Sequence, residues 1–486
     1  MVWTTRFRLG TMVNSNADDV RTNPWYLRLY SKVMSFFRFV GPGWLVSVAL
    51  MDPGNYETAL QAGSQYGYKI LWAVWWSVVV TIVYQVASIY LGLYCEEDLA
   101  SACRQQYPKW TAILLWLFME ATIITTDMVE VTGFAIAIQI LFGWPLYGGV
   151  LLSCITTLLL LAFRLFGFRT LEILVLLLSL LMTLSFFIEW AETGTRTADF
   201  FEGWFVPRVP SGSALVVLAI VGTDVVPQNL YLQSRLVKSR DVKVDDRKEA
   251  FISNVIETVI PMLLAFVLNG AIISLAAIDF HDNNEISSSL LSSVGLTNVC
   301  TLIKQVYQNK EAGCILWAIS LLASGQSTAM TATYTGQIVM EGFIRLHMSI
   351  WLRSLLTRCI SLIPAIVVVS LAGEKGANTA ILIGAAIPSA TLPFAVIPLV
   401  KFVSSRRFLK ERVIPRWCQV ALVILSLVLI GFNIFLIVAA PGRHTLRHLL
   451  STGSSWSIAG IVLTAIIGSC YLVFLLFITF CPIQAE

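Results

Sequence analysis

The sequence predicts an all-α polytopic membrane protein of about twelve transmembrane helices, the first and sixth broken near the bilayer midplane. Three observations predict it. Only 13% of the 486 residues are charged and 57% are hydrophobic, whereas soluble proteins carry about 25% charge. Apolar runs recur from end to end, each near the ~20 residues that cross ~30 Å of hydrocarbon. Proline interrupts two of those runs beside an aspartate, at Asp52-Pro53-Gly54-Asn55 and at Asp224-Val225-Val226-Pro227-Gln228-Asn229.

Taken in order, the runs place spans at 36–64, 70–94, 111–142, 146–167, 170–190, 213–236, 252–278, 312–343, 350–372, 378–403, 416–440 and 456–481. Residues 1–35 are polar, lack the apolar core of a signal peptide, and read as a cytoplasmic N-terminal segment. The ten spans of 36–403 form a core of two repeats, about 36–190 and 213–403. Two peripheral helices fill 404–481, and 482–486 is a short tail.

Basic residues gather in alternate connections: Arg6, Arg8, Arg21 and Arg28, then Arg164 and Arg169, then Arg235 to Lys248, then Lys401 to Arg416. The positive-inside rule therefore puts both termini in the cytoplasm, with Arg443 and Arg447 dissenting in an outer loop. The net charge of +4 comes from these loops and does not suggest nucleic acid. No CxxC or metal-ligand spacing occurs among the nine cysteines, and Asn-x-Ser/Thr acceptors are absent. Cys300 and Cys314 fall on the outer side, where an oxidising compartment would let them pair.

Proline removes a backbone donor, so the breaks free carbonyls that lipid cannot satisfy and that must line a cavity. Interrupted helices at matching places in two halves point to a secondary transporter with inverted repeats. Asp52 and Asp224 sit at those breaks, and an aspartate at a helix centre costs ~2.5–3.5 kcal/mol unless a cation, partner or water meets it. Together with amide oxygens of Asn55, Gln228 or Asn229 and an oxygen of Thr223, they make a hard-oxygen site.

With Leu60-Gln61-Ala62-Gly63, Thr126-Asp127-Met128-Val129-Glu130-Val131, Asn229-Leu230-Tyr231-Leu232, Gly336 to Phe343 and Leu392 to Pro398, these motifs resemble the NRAMP family of divalent-metal transporters along nearly the whole chain. The resemblance implies a LeuT-like fold in which Asp52 and Asn55 hold metal. It departs at the second break. The family's Ala-x-x-Met-Pro-His-Asn is here Thr223 to Asn229, so the methionine is Val226 and the histidine Gln228; a later histidine is Gln233, and a span-ten glutamine is Ala385. Losing a soft thioether and gaining a carboxylate moves the site toward hard cations, and smaller Val226 and Ala385 widen it. This pattern resembles the NRAMP-related magnesium transporters and implies a largely hydrated Mg²⁺, with Mn²⁺ accepted.

Span three carries Glu120, Asp127 and Glu130 on one side of a helix. In the family such acids carry protons beside span-six histidines. Here His281, His347, His444 and His448 all fall in connecting loops, which favours uncoupled transport and leaves pairing with Arg353 or Arg358 as the acids' other role. The expectation is a plasma-membrane transporter in a lipid bilayer, with a divalent ion as substrate and no cofactor. No nucleophile–base constellation supports an enzyme. The alternatives are a proton-coupled Mn²⁺/Fe²⁺ importer and a non-transporting metal sensor on the same fold.

Overall fold

The computed structural model describes residues 52–95, 97–162, 196–240, 244–281, 294–300, 311–409, 412–439 and 455–482, with residue 242 and a few positions between 184 and 191. The first half of span one, most of span five, His444, His448, Arg443 and Arg447 lie outside them. All described residues fall within one compact unit, Gly41–Glu486.

The helices are α1 (Pro53–Tyr66), α2 (Leu71–Tyr94), α3 (Leu99–Gln106), α4 (Lys109–Phe142), α5 (Leu146–Ala162), α6 (Thr197–Phe205), α7 (Ala214–Asp224), α8 (Pro227–Lys238), α9 (Arg247–Ala276), α10 (Glu311–Ile344), α11 (Ile350–Thr391), α12 (Pro393–Ser404), α13 (Arg406–Leu409), α14 (Arg416–Ala439) and α15 (Ser455–Phe480). Among the described residues, eight helical stretches are long and apolar enough to cross a membrane.

Burial sorts these helices into a core and a periphery. Nearly every residue of α7 and α8 is buried, whereas α14 turns Trp417, Val420, Leu427 and Val428 outward, where apolar side chains are at home only against lipid. Polar side chains fasten the periphery to the core, Asn433 and Tyr471 among them. Asn433 of α14, fully buried, donates to the carbonyl of Ser389 at 3.0 Å, and Tyr471 of α15 donates to the carbonyl of Ala390 at 2.8 Å. Pro393 has no N–H for Ser389 four residues earlier; that carbonyl accepts the Leu392 N–H at 3.3 Å instead, and Asn433 adds a second donor.

Spans nine and ten, 350–372 and 378–403, lie on one helical stretch whose backbone continues from Ile350 to Thr391 and breaks only before Pro393. A straight helix would put Arg353 and Thr391 about 57 Å apart at 1.5 Å per residue. Yet Arg353 pairs with Glu120, and Thr391 meets Thr122 at 2.7 Å. The stretch therefore doubles back, and its apolar arms are Ile350–Val367 and Gly376–Thr391. Cys300 and Cys314 are disulfide-bonded, with Cα atoms 5.1 Å apart. His281 closes a helical turn that extends α9, and its Nδ1 lies 3.2 Å from the carbonyl of Ser64.

Candidate metal site at two helix breaks

α1 starts at Pro53, where a missing N–H costs nothing because the first turn has no partner for it. Asp52 precedes it in extended conformation, and its Oδ1 accepts the N–H of Asn55 at 2.7 Å. Such a cap stabilises a helix by about 1 kcal/mol and engages one of the two carboxylate oxygens. Both Asp52 and Asn55 are buried.

At the second break α7 ends on Asp224, two non-helical residues follow (Val225 at φ −99°, ψ 63°; Val226 at φ −68°, ψ 108°), and α8 restarts at Pro227. The carbonyl of Thr223 loses its helical donor because the residue four ahead is proline. The C-terminal end of α7 also brings partial negative charge to the break, which favours a cation.

Asp224 is held from α2. Ser77 donates to Oδ2, and Thr81 donates to its carbonyl oxygen at 2.9 Å. Oδ1 is buried without a hydrogen-bond partner among the described residues, and so is Oε1 of Gln228, whose Nε2 donates to Thr126 at 3.3 Å. Asn229 is buried, with its N–H on the carbonyl of Val226 at 3.1 Å. The Thr223 hydroxyl hydrogen is committed to the carbonyls of Ala219 and Ile220 at 3.1 Å each, and its carbonyl, freed by Pro227, is a candidate ligand to metal.

Close backbone approaches bring the breaks together. A side chain at Gly54 would run into Thr223 and Val129, one at Gly133 into Pro53, and one at Gly222 into the carbonyl of Ala385. Small residues at such crossings let membrane helices approach. A Cβ at Gly54 would lie 2.9 Å from the Thr223 methyl and 3.4 Å from Asp52 Oδ1, so the two breaks adjoin. Val226 is buried yet belongs to neither apolar cluster, whereas Ala385 packs into the larger one.

The span-three acids stand against arginines of α11. Arg353 pairs with Glu120, which also accepts Trp116 Nε1 at 2.9 Å. Arg358, only 2% exposed, lies 2.9 Å from Asp127 and 3.9 Å from Glu130, and Ser361 donates to the second Asp127 oxygen. Sequence reasoning missed Ser77 and Thr81, whose signal was a pair of hydroxyls four apart in an apolar helix, and it missed Glu57. Glu257 of α9 is fully buried 3.6 Å from Arg240.

Residues 43–439 match the family described as "Natural resistance-associated macrophage protein-like". A Dictyostelium discoideum "Natural resistance-associated macrophage protein 2 homolog" is 41% identical over 77% of this chain, which spans 59% of that protein's length, less than two thirds. A "Divalent metal cation transporter" of Xanthomonas campestris is 38% identical over 85% of this chain and 91% of its own. Among solved structures, a manganese transporter of Eremococcus coleocola superposes with a TM-score of 0.77 at 25% identity, covering 91% of this chain and 93% of that one. The nucleobase-cation symporter Mhp1 shares the fold, with a TM-score of 0.52 at 14% identity over 86% and 95% of the two chains. This chain thus belongs to the Nramp family, as a multi-pass integral membrane transporter with a LeuT-like fold.

Proposed function

We propose that this protein carries a hard divalent cation, Mg²⁺ by preference and Mn²⁺ as well, by alternating access and without obligatory proton movement, in a plasma membrane with both termini cytoplasmic. The observation that carries this reading is the second carboxylate. Asp224 stands at the break opposite Asp52 with one oxygen unpartnered, where it adds a charge to a site from which Val226 withholds any thioether. Hard, hydrated Mg²⁺ suits such oxygens, whereas softer transition metals favour sulfur. Asn55, Asn229, Gln228 and the Thr223 carbonyl complete the proposed ligand or water-binding set.

The named relatives act on manganese or on divalent metal cations, which favours the proton-coupled Mn²⁺ reading as the second. Support for uncoupled transport comes from Gln228 and Gln233, which do not titrate, and from Arg358, whose single charge balances Asp127 at 2.9 Å.

Proteoliposomes holding trapped magnesium and pH indicators test this reading. Mg²⁺ is expected to enter with lumenal pH unchanged. Acidification that tracks uptake and vanishes in Asp127→Asn would establish coupling. For selectivity, the combined Asp224→Thr, Val226→Met and Ala385→Gln variant should bind Cd²⁺ more tightly by calorimetry and carry less Mg²⁺. A wild type that already binds Cd²⁺ as tightly as the variant would favour the Mn²⁺/Fe²⁺ reading.

A further inference from the structure

Glu57 lies five residues beyond Asp52, about 7.5 Å farther along α1 at 1.5 Å per residue, and it is fully buried. Among the described residues no arginine or lysine pairs with it. Instead Gln61 Nε2 donates to Oε1 at 2.5 Å and the N–H of Leu296 donates to Oε2 at 2.7 Å. Leu296 belongs to the 294–300 segment between α9 and α10, which the Cys300–Cys314 bridge ties to α10. A disulfide there suits the oxidising face of a membrane.

Three successive N–H groups of this segment each meet a side-chain oxygen. Gly295 donates to Asn298 Oδ1 at 2.9 Å, Leu296 to Glu57, and Thr297 to Asn378 Oδ1 at 3.3 Å. Asn378 belongs to α11, so the turn bridges α1 and α11. Any side chain at Gly295 would strike both Glu57 and Asn378, so the turn sits directly between them. Consecutive backbone N–H groups present positive potential to anions. The turn therefore takes the place a cation would fill between a carboxylate and an amide oxygen. Without it, Glu57, Gln61 and Asn378 would present the hard oxygens that bind Mg²⁺ directly or through water.

We propose that Glu57 and Asn378 form a staging site for the entering divalent cation, closed in this structure by the Gly295–Thr297 turn. The cation exchanges with the turn's N–H groups before reaching Asp52. This inference rests on the divalent-cation reading above, and it differs from a mere latch in requiring the charge of Glu57 and not only its oxygen.

Glu57→Gln separates the two, because it keeps an oxygen for the Leu296 N–H and loses the charge. In proteoliposomes, Mg²⁺ uptake at low concentration should fall on the order of tenfold, as expected when a charge that concentrates counter-ions is lost, while the saturating rate holds. Adding Asn378→Asp returns a carboxylate to the opposite wall and should restore uptake. Asn378→Asp alone should raise low-concentration uptake, which keeps the test open should Glu57→Gln fail to fold. Unchanged uptake in Glu57→Gln, or failure of Asn378→Asp to restore or raise it, overturns the staging site while leaving the transport reading intact. A wild type that carries neither Mg²⁺ nor Mn²⁺ overturns both.

Discussion

Asp224 and Asp127 are the same residue in nearly the same situation, and they end with opposite charge balance. Each lies in an apolar helix, each is almost fully buried, and each accepts a serine hydroxyl, Ser77 for Asp224 and Ser361 for Asp127. The remaining oxygen decides between them. For Asp127 it meets Arg358 at 2.9 Å, whereas for Asp224 it meets nothing among the described residues. A buried carboxylate with an arginine is neutralised by the protein itself. One held only by hydroxyls bears the full cost of burial, which a proton or an arriving cation relieves. On the proposed function, the same contrast separates a position that organises the fold from one that recruits substrate.

The largest expected effect falls on the unpaired member. Asp224→Ala should reduce Mg²⁺ uptake by at least about 30-fold, since losing one partner of a close charge pair costs about 2–5 kcal/mol. It should leave thermal stability unchanged or raised, because the change removes an uncompensated charge. Uptake in proteoliposomes and the melting temperature in detergent check the two halves. Normal uptake with an unchanged KM would remove Asp224 from the site.

The paired member should respond the other way round. Arg358→Met strands Asp127 and Glu130 without their cation, and breaking a buried pair by removing one partner costs about 3–5 kcal/mol. The variant should therefore melt well below the wild type. Adding Asp127→Asn and Glu130→Gln should recover most of that loss. Failure of the triple variant to recover would mean that Arg358 stabilises the bundle by something other than these acids.

The contrast was partly legible in the sequence, and the reasons differ by residue. Pro53 and Pro227 announce breaks because a missing N–H acts on the residue four earlier, whatever the tertiary structure. Arg353 and Arg358 were nameable as partners because charges in an apolar helix must find one another. Ser77 and Thr81 were not, since a hydroxyl in a membrane helix usually bonds its own backbone, as Thr223 does here. Which hydroxyl reaches across is decided by how α2 packs on α7. Glu57 was hidden for a related reason: its partner is a backbone N–H 239 residues away, and backbone donors leave no mark in a sequence. The two arms of α11 were legible as separate apolar runs, whereas the helical backbone that joins them was not, because Gly373 and Gly376 between the runs read as a connection.

The smallest predicted effect tests the comparison most directly, because one substitution can be made at both places. Ser77→Ala removes the hydroxyl that holds Oδ2 of Asp224 and leaves the Thr81 bond to its carbonyl oxygen in place. The freed carboxylate can then turn away from the ion, so KM for Mg²⁺ should rise about threefold, near the 0.5–1.5 kcal/mol net worth of one hydrogen bond. The maximal rate should hold, and Ser77→Thr, which keeps a hydroxyl, should restore KM. Ser361→Ala makes the matching change at Asp127, where Arg358 still fixes the carboxylate, so KM should stay as in the wild type. Concentration dependence of uptake for the three variants decides the matter. Equal rises in KM for Ser77→Ala and Ser361→Ala would mean that both aspartates meet the ion, and that the arginine does not set Asp127 apart.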